Sequence, residues 1–176
     1  MAHYVVLGSP HAGDTYKVAL MLGLAGQSWR LAPETADICG PVLLAGDQSV
    51  REAGAILDFL AEETRRFGPK SDDERRQIMR WMLFDARCFG CLTSDRGELS
   101  VSPVTAQALA MADQHLADHP FLIGRRLTIA DIALGGTLLA AAAKGLSLAA
   151  LVHVENWLDQ IRAQPGWTGP EVVAKA

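Results

Sequence analysis

A proline-entered strand, a tight turn and a helix follow one another in the first half of this chain and constrain its fold more than any other segment. The apolar residues 41–45 and residues 48–51 flank Gly46-Asp47, a pair that favours a turn between antiparallel strands. Pro41 stands first in its strand, where the missing amide hydrogen removes no necessary ladder bond. Residues 52–63 then show helical periodicity. The segment therefore predicts an antiparallel hairpin that leads directly into a helix.

Glu52 stands at the junction between this hairpin and the helix. The first amides of a helix have no partners within it and favour a nearby anion. We expect Glu52 and these amides to face the same side as the carbonyl before Pro41, which predicts a small site for an amino-acid-like ligand. The alternative is that Glu52 only complements the positive end of the helix dipole.

The residues before the hairpin mix strand and helix. Residues 4–8 are apolar and β-branched, a pattern typical of a buried strand. A helical pattern follows Gly13, with Asp14 as its expected N-cap and Gly26 as its expected stop. Residues 29–31 predict a brief second strand. The N-terminal part is therefore expected to be an α/β unit.

A charged segment separates this unit from a helical remainder. It contains Gly68-Pro69, a pair typical of a linker. Ser71 and Glu74 then match a capping box, in which each side chain satisfies the other residue's amide at the start of a helix. We predict an α/β domain at residues 1–63, a linker at 64–71 and an all-helical domain at 72–176.

The helical domain contains further start signals. Ser102-Pro103 opens one helix, because proline is favoured at the first helical position. Thr128 and Asp131 match a second capping box ahead of an alanine-rich helix, which should be the buried centre of this domain. A last helix covers about residues 154–163. We expect Asp131 to serve folding rather than catalysis.

Composition and charge argue against several functional classes. The net charge of −4 is mild and both signs are interspersed, which does not indicate a nucleic-acid surface. Three cysteines cannot form a closed disulfide framework, which favours a reducing compartment. The alanine-rich stretch 129–143 is interrupted by Asp131 and two glycines, so it falls short of a membrane span. We expect a cytoplasmic protein with no membrane or nucleic-acid partner.

Several short segments combine into a more specific pattern. They are Gly8-Ser9-Pro10 ahead of Lys17-Val18, Gly40-Pro41-Val42-Leu43, Glu52-Ala53 with Ile56-Leu57, Leu122-Ile123-Gly124 through Thr128-Ile129-Ala130-Asp131-Ile132, and Trp157-Leu158 with Arg162 and Pro165. In this order they resemble the glutathione S-transferase family, over nearly the whole chain. The resemblance implies an α+β fold, with a shortened thioredoxin-like domain followed by an all-helical domain.

The same resemblance implies a ligand and its site. Glutathione would be a co-substrate, transferred to a small hydrophobic electrophile in the cleft between the domains. The segment around Pro41 resembles the one that holds the family's cis-proline, so a cis peptide bond before Pro41 is implied. The backbone of Cys39, Gly40 and Pro41 would pair with the peptide part of glutathione, and Glu52 with the amide of Ala53 would hold its γ-glutamyl group. The family also implies a homodimer.

Two positions depart from the family pattern. The hydroxyl or thiol that stabilises the glutathione thiolate falls on Ala12, and the serine that holds the γ-glutamyl carboxylate falls on Ala53. Ser9 and Thr15 are nearby hydroxyls that could substitute, and His11 could exchange a proton near neutral pH. Each also has a structural interpretation: Ser9 as a turn residue, Thr15 as part of the first helical turn and His11 as an exposed loop residue.

Two further features count against the active form of the family. Asp14, as an N-cap, would compete with a thiolate for the same helix amides. The segment between Leu31 and Gly40 is also too short for the family's usual second helix, which helps to hold the far end of glutathione.

Cys88 and Cys91 invite a redox or zinc interpretation. A redox pair normally lies where a strand leads into a helix, whose dipole activates the first thiol, but this pair lies near the end of a long helix. A zinc site needs two more ligands, and no second Cys/His pair has suitable spacing. We therefore interpret both cysteines as structural and predict no metal, although they could line the pocket between the domains.

Three functions follow from these observations. The first is a divergent glutathione S-transferase, favoured by the proline segment, Glu52 and the complete helical domain. The second is a non-catalytic scaffold or protein-interaction module with the same fold, favoured by Ala12 and Ala53. The third and weakest is a thiol oxidoreductase that uses Cys88 or Cys91.

Overall fold

The computed structural model describes residues 3–32, 40–93 and 101–175. Its first part contains β1 (Tyr4–Leu7), α1 (Gly13–Leu24), β2 (Trp29–Ala32), β3 (Val42–Ala45), β4 (Gln48–Arg51) and α2 (Ala53–Thr64). Its second part contains α3 (Asp72–Thr93), α4 (Pro103–Asp118), α5 (Ile129–Ala143), α6 (Val152–Arg162) and α7 (Pro170–Val173). The predicted α+β architecture, with a helical second half, is confirmed.

The four strands form one mixed sheet in the order β2-β1-β3-β4. β1 runs parallel to β2 and antiparallel to β3, and β3 runs antiparallel to β4. The register pairs Leu7 with Val42 and Val42 with Arg51. The end of β1, the start of β3 and the end of β4 therefore meet at one end of the sheet, which brings Pro41 and Glu52 close to the turn that precedes α1.

The predicted hairpin is confirmed with β3 and β4 as its strands. Gly46 has a φ of 60°, a left-handed conformation that glycine adopts without steric cost. Val42 and Leu43 are buried against the core. These neighbours point to opposite faces, so both faces of β3 are covered at its start. The tight turn fixes the register of the hairpin and, with it, the position of Glu52.

α5 lies at the centre of the molecule and packs against both α1 and α3. All its residues from 129 to 141 are buried. Gly136 allows α1 to approach, because a Cβ at that position would lie 2.9 Å from Cγ of Lys17. The prediction that α5 is the centre of the helical half is confirmed, and the helix also contacts the α/β half directly.

The start of α1 differs from the prediction. The N-cap is Ala12, and Asp14 lies within the first helical turn. The backbone amide of Ala12 donates to the carbonyl of Ser9 at 3.2 Å, and this turn leads the chain into the helix before Asp14 is reached. The carboxylate of Asp14 instead accepts a hydrogen bond from Lys17. The prediction of Asp14 as the N-cap was therefore wrong.

Only half of the first predicted capping box forms. The amide of Glu74 donates to Oγ of Ser71 at 3.2 Å, as predicted. The carboxylate of Glu74 accepts from the amide of Lys70 and from the guanidinium of Arg126, which lies 2.6 Å away. The Glu74 carboxylate thus binds Arg126 and the Lys70 amide in place of the Ser71 amide that the capping box predicts.

The second capping box, at Thr128 and Asp131, is confirmed. Ser102 caps α4 by accepting a hydrogen bond from the amide of Thr105 at 3.1 Å. The short helix α7 was not predicted, because four residues carry no periodic signal. No helix in the described part of the chain is long and apolar enough to cross a membrane.

Candidate functional site

A cleft of about 220 Å³ lies between the α/β half and the helical half. Its α/β side is formed by the first turns of two helices, with Asp14 from α1 and with Glu52 and Ala53 from the start of α2. Its helical side comes from α3 and α5, which contribute Asp85 and Ala133 among others. The cleft therefore brings two helix N-termini to one small volume.

Neither helix is capped by the side chain of its N-cap residue. Ala12 precedes α1 and has no side chain that could accept a hydrogen bond, and Glu52 precedes α2 without accepting one from its first turn. Helix N-terminal amides carry partial positive charge and lack partners within the helix. The two termini can therefore bind negatively charged groups of a ligand.

Glu52 is held in an unusual backbone conformation beside the proline segment. Its φ is 69° and its ψ is 129°, a backbone conformation that residues other than glycine rarely adopt. Its amide donates to the carbonyl of Pro41 at 3.2 Å. A Cβ at Gly40 would lie 3.8 Å from Oε2 of Glu52, so the carboxylate lies over that glycine. Gly40, Pro41 and Glu52 are thus brought together, and Glu52 lines the cleft.

The peptide bond between Gly40 and Pro41 is trans, since the described residues contain no cis peptide bond. The implied cis bond was therefore wrong. The left-handed conformation of Gly40, with a φ of 82°, turns the chain into β3 here. Cys39, expected to offer backbone groups to a ligand, lies outside the described residues, as do residues 33–39 as a whole.

The three candidates for thiolate stabilisation do not line the cleft. Ser9 accepts a hydrogen bond from the amide of His11 at 3.4 Å, and its carbonyl closes the turn before α1. The side chain of His11 is exposed. Thr15 is buried, and a Cβ at Gly8 would lie 2.5 Å from its Oγ1. The Thr15 hydroxyl therefore faces the backbone of Gly8.

Lys17 and Asp85 form a buried ion pair at the cleft that the sequence analysis missed. Nζ of Lys17 lies 2.8 Å from Oδ2 of Asp85 and 2.8 Å from Oδ1 of Asp14. The hydroxyl of Thr137 donates to the other oxygen of Asp85 at 2.7 Å. Burial alone would lower the pKa of Lys17, but the carboxylates of Asp85 and Asp14 outweigh it and raise that pKa. Lys17 is therefore a cation at neutral pH.

A signal for this pair was present in the sequence. Asp85 shares the inward-facing period of α3 with Ile78, Trp81 and Cys88. A carboxylate on an apolar face needs a buried partner, because an unpaired buried charge is very costly. The partner lies 68 residues away in the sequence, so periodicity indicates the need for a cation without identifying Lys17.

Cys88 and Cys91 are both free thiols on α3 and do not line the cleft. The Thr105 hydroxyl donates to the carbonyl of Cys88 at 2.9 Å, and Sγ of Cys91 lies 3.6 Å from the same hydroxyl. These contacts tie α3 to the start of α4. Among the described residues, no group of three or more His, Cys, Asp or Glu side chains could hold a metal ion.

The chain is similar to several known proteins. Residues 86–165 match the model of the glutathione S-transferase C-terminal domain. The chain is 25% identical to glutathione S-transferase F9 of Arabidopsis thaliana, over 93% of this chain and 86% of that protein. It is 29% identical to the disulfide-bond oxidoreductase YghU of Escherichia coli, over 66% of this chain and 47% of that protein.

A solved structure shares the fold. The theta class glutathione S-transferase of Xanthomonas axonopodis pv. citri, with glutathione bound, superposes with a TM-score of 0.79 at 23% identity, over 100% of this chain and 98% of that one. Together with the mixed sheet, the helical half and the cleft between them, these matches show the glutathione S-transferase fold, with residues 86–165 matching the family's C-terminal domain.

Proposed function

We propose that this protein binds glutathione in the cleft between its two halves and transfers it to a small hydrophobic electrophile. The observation that carries the proposal is that the first turns of α1 and α2, neither capped by its N-cap side chain, meet at one cleft. Glu52 at this cleft is held next to Gly40 and Pro41. Glutathione has a carboxylate at its γ-glutamyl end, a thiolate at its centre and a second carboxylate at its glycine end. One helix start would bind the γ-glutamyl carboxylate and the other the thiolate.

The γ-glutamyl group would bind at the start of α2. Ala53 provides its backbone amide for the carboxylate, and Glu52 provides a carboxylate for the ammonium group. The backbone conformation of Glu52 places that carboxylate beside Gly40. The backbone of Cys39, Gly40 and Pro41 would pair with the peptide part.

The thiolate would lie at the start of α1. Helix amides and the dipole favour the ionised thiol, and a held thiolate next to an electrophile needs little further assistance. The hydroxyl usual in the family is replaced by Ala12, a loss worth on the order of 2 kcal/mol or more of thiolate stabilisation. We expect slow conjugation rather than none. Ser9, His11 and Thr15 would assist only if the turn before α1 rearranged.

The alternative is a non-catalytic scaffold with the same fold. Ala12, Ala53 and the trans bond before Pro41 all favour it, because each removes a feature that the family uses to hold glutathione. A thiol oxidoreductase based on Cys88 and Cys91 receives less support, since neither cysteine lines the cleft.

Calorimetry with glutathione separates these functions. We expect a saturable heat at millimolar glutathione in the parent protein. The Glu52→Gln variant should bind about tenfold more weakly through loss of the charged hydrogen bond, whereas Glu63→Gln, on the exposed end of α2, should match the parent. Absence of heat in the parent protein would contradict glutathione binding and favour the non-catalytic scaffold. Conjugation of an activated aryl chloride, measured alongside, tests transfer separately from binding.

We also propose a homodimer in which a second copy covers the outer face of α3 and α4. A groove of about 520 Å³ on that face is lined by Trp81, Phe84 and Met111. Met111 is 55% exposed, an unusual position for a large apolar side chain beside two aromatic rings. Met111→Glu should shift the sedimentation coefficient to that of a monomer, while Val172→Glu, at an exposed site on α7, should not.

A further inference from the structure

Cys88 and Cys91 lie one turn apart near the end of α3, and the proposed function makes no use of them. Both are free thiols, and Cys91 is exposed whereas Cys88 is half-buried. Residues three apart on an α-helix are neighbours on its surface. The two thiols therefore form a pair in which one is open to solvent and the other is partly covered.

A single residue of α4 contacts both cysteines. The hydroxyl of Thr105, a residue that is 1% exposed, donates to the carbonyl of Cys88 at 2.9 Å. Sγ of Cys91 lies 3.6 Å from the same hydroxyl oxygen. Because the hydroxyl hydrogen is used at Cys88, the thiol of Cys91 is the donor in this second contact. A change in the geometry of the last turn of α3 would therefore disturb both contacts with Thr105.

The helix brings the two cysteines close to the geometry of a disulfide without reaching it. Cα atoms three residues apart in an α-helix are separated by about 5 Å, within the range of about 4.4–6.8 Å found across disulfides. The corresponding Cβ atoms are about 5–6 Å apart, whereas a disulfide needs about 3.5–4.5 Å. A bridge between Cys88 and Cys91 therefore requires the last turn of α3 to tighten by about 1–2 Å.

Gly90 makes this turn easier to tighten. It lies between the two cysteines and is exposed. Glycine has more backbone freedom than any other residue and weakens a helix relative to alanine. A Cβ at this position would meet no heavy atom within 4 Å outside its own stretch of helix, so packing does not require a glycine here. Phe89 and Leu92 are fully buried and keep the turn attached to the core.

We propose that Cys88 and Cys91 form a reversible disulfide by exchange with a small disulfide such as glutathione disulfide, and that the bridge releases the end of α3 from Thr105. Cys91 reacts first because it is exposed. Its thiolate attacks one sulfur of the small disulfide, forms a mixed disulfide and releases one thiolate. The Cys88 thiolate then attacks Sγ of Cys91 and releases the second.

The exchange balances without any other reactant. The protein loses two electrons and two protons, and the small disulfide takes up both as two thiols. Neither cysteine lines the cleft, so the exchange does not depend on glutathione binding there.

Mass spectrometry of the intact protein after treatment with glutathione disulfide is the first test. The Cys39→Ser variant leaves only the pair to react, and we expect it to lose the mass of two hydrogen atoms and to retain no glutathione. Adding Cys88→Ser should trap one glutathione on Cys91, whereas adding Cys91→Ser instead should slow the reaction about tenfold.

Peptide mapping of the treated parent identifies the same bridge without any substitution. Glutathione that stays on Cys91 while Cys88 is present, or equal reactivity of the two thiols, would overturn the proposal.

Two substitutions test the release from Thr105 in opposite directions. Thr105→Val removes the hydrogen bond that the bridge must break, so the dithiol–disulfide equilibrium in a glutathione redox buffer should shift about fivefold toward the disulfide. Gly90→Ala stiffens the last turn and should shift it about fivefold toward the dithiol. Thr64→Val is the matched control, since it removes a hydroxyl that donates to the carbonyl of Leu60 on α2, and should leave the equilibrium unchanged. An unchanged equilibrium in either of the first two variants would overturn the proposed release.

Discussion

The indole Nε1 of Trp157 donates to Oδ1 of Asp131 at 3.0 Å and joins the last long helix to the start of the central one. The same oxygen accepts from the amide of Leu122 at 2.8 Å. Oδ2 accepts from both the amide and the hydroxyl of Thr128, each at 2.8 Å. One fully buried carboxylate thus holds α6, the preceding loop and the cap of α5 together.

Replacement of Asp131 should therefore cost more than loss of a cap. Asp131→Ala leaves several buried donors without an acceptor, and we expect a loss of about 3–5 kcal/mol in the free energy of unfolding. Thr128→Ala should cost only about 1–2 kcal/mol. Urea denaturation of both variants measures the difference. Equal losses would mean that the bonds to Leu122 and Trp157 add nothing to the cap.

The Lys17–Asp85 pair should behave non-additively. Lys17→Met alone leaves Asp85 buried without its cation, at a cost of about 3–5 kcal/mol. The double variant Lys17→Met/Asp85→Asn should be more stable than this single variant, because no unpaired charge remains. A double-mutant cycle by urea denaturation measures the coupling. Additive losses would contradict a direct interaction between the two side chains.

The same pair predicts a loss of stability at alkaline pH. The pKa of Lys17 lies above its ordinary value of 10.5 in the folded state. Its ionised form is therefore favoured by folding, and its contribution is fully present below 10.5 and is lost as the pH rises through the folded-state value. The stability difference between the parent and Lys17→Met/Asp85→Asn, measured against pH, should shift against the parent above 10.5. A difference independent of pH would contradict this assignment.

The sequence predicted the elements of this fold better than their contacts. The hairpin, the capping box at Thr128 and the cap at Ser102 depend on neighbouring residues, so short patterns predict them. Trp157 and Asp131 lie 26 residues apart, and no local pattern pairs them. The start of α1 was placed too late because the turn closed by Ser9 begins the helix without any side-chain cap.

The candidate site was predicted in part for the same reason. Glu52 and Ala53 could be identified because they adjoin the hairpin, and both line the cleft. Thr15 was a candidate for thiolate stabilisation because it is a hydroxyl residue near Ala12. Sequence spacing does not tell which side of α1 its side chain occupies. That helix is buried on nearly all sides, so it shows no clear polar face. Only tertiary structure shows the Thr15 hydroxyl against Gly8.

Thr15→Val tests the position of that hydroxyl. The substitution keeps the shape of the side chain and removes only the oxygen, which faces Gly8 rather than the cleft. We expect glutathione affinity and conjugation rate within about twofold of the parent, because no ligand contact is lost. A loss of conjugation on the order of a hundredfold would instead identify Thr15 as the donor to the thiolate.

Glu52→Gly should separate stability from ligand binding. Glycine adopts the φ of 69° at this position without strain, so the free energy of unfolding should rise by about 1 kcal/mol. Glutathione affinity should fall about tenfold, because the carboxylate proposed to hold the ligand's ammonium group is removed.

Arg65→Gly is the matched control, since Arg65 has a φ of 56° at the other end of α2, away from the cleft. It should give a similar gain in stability with unchanged affinity. Thermal melts and calorimetry on both variants decide the outcome. If Glu52→Gly gained stability and kept full affinity, the strained conformation would serve no binding role, and the start of α2 would have to bind its ligand through backbone amides alone.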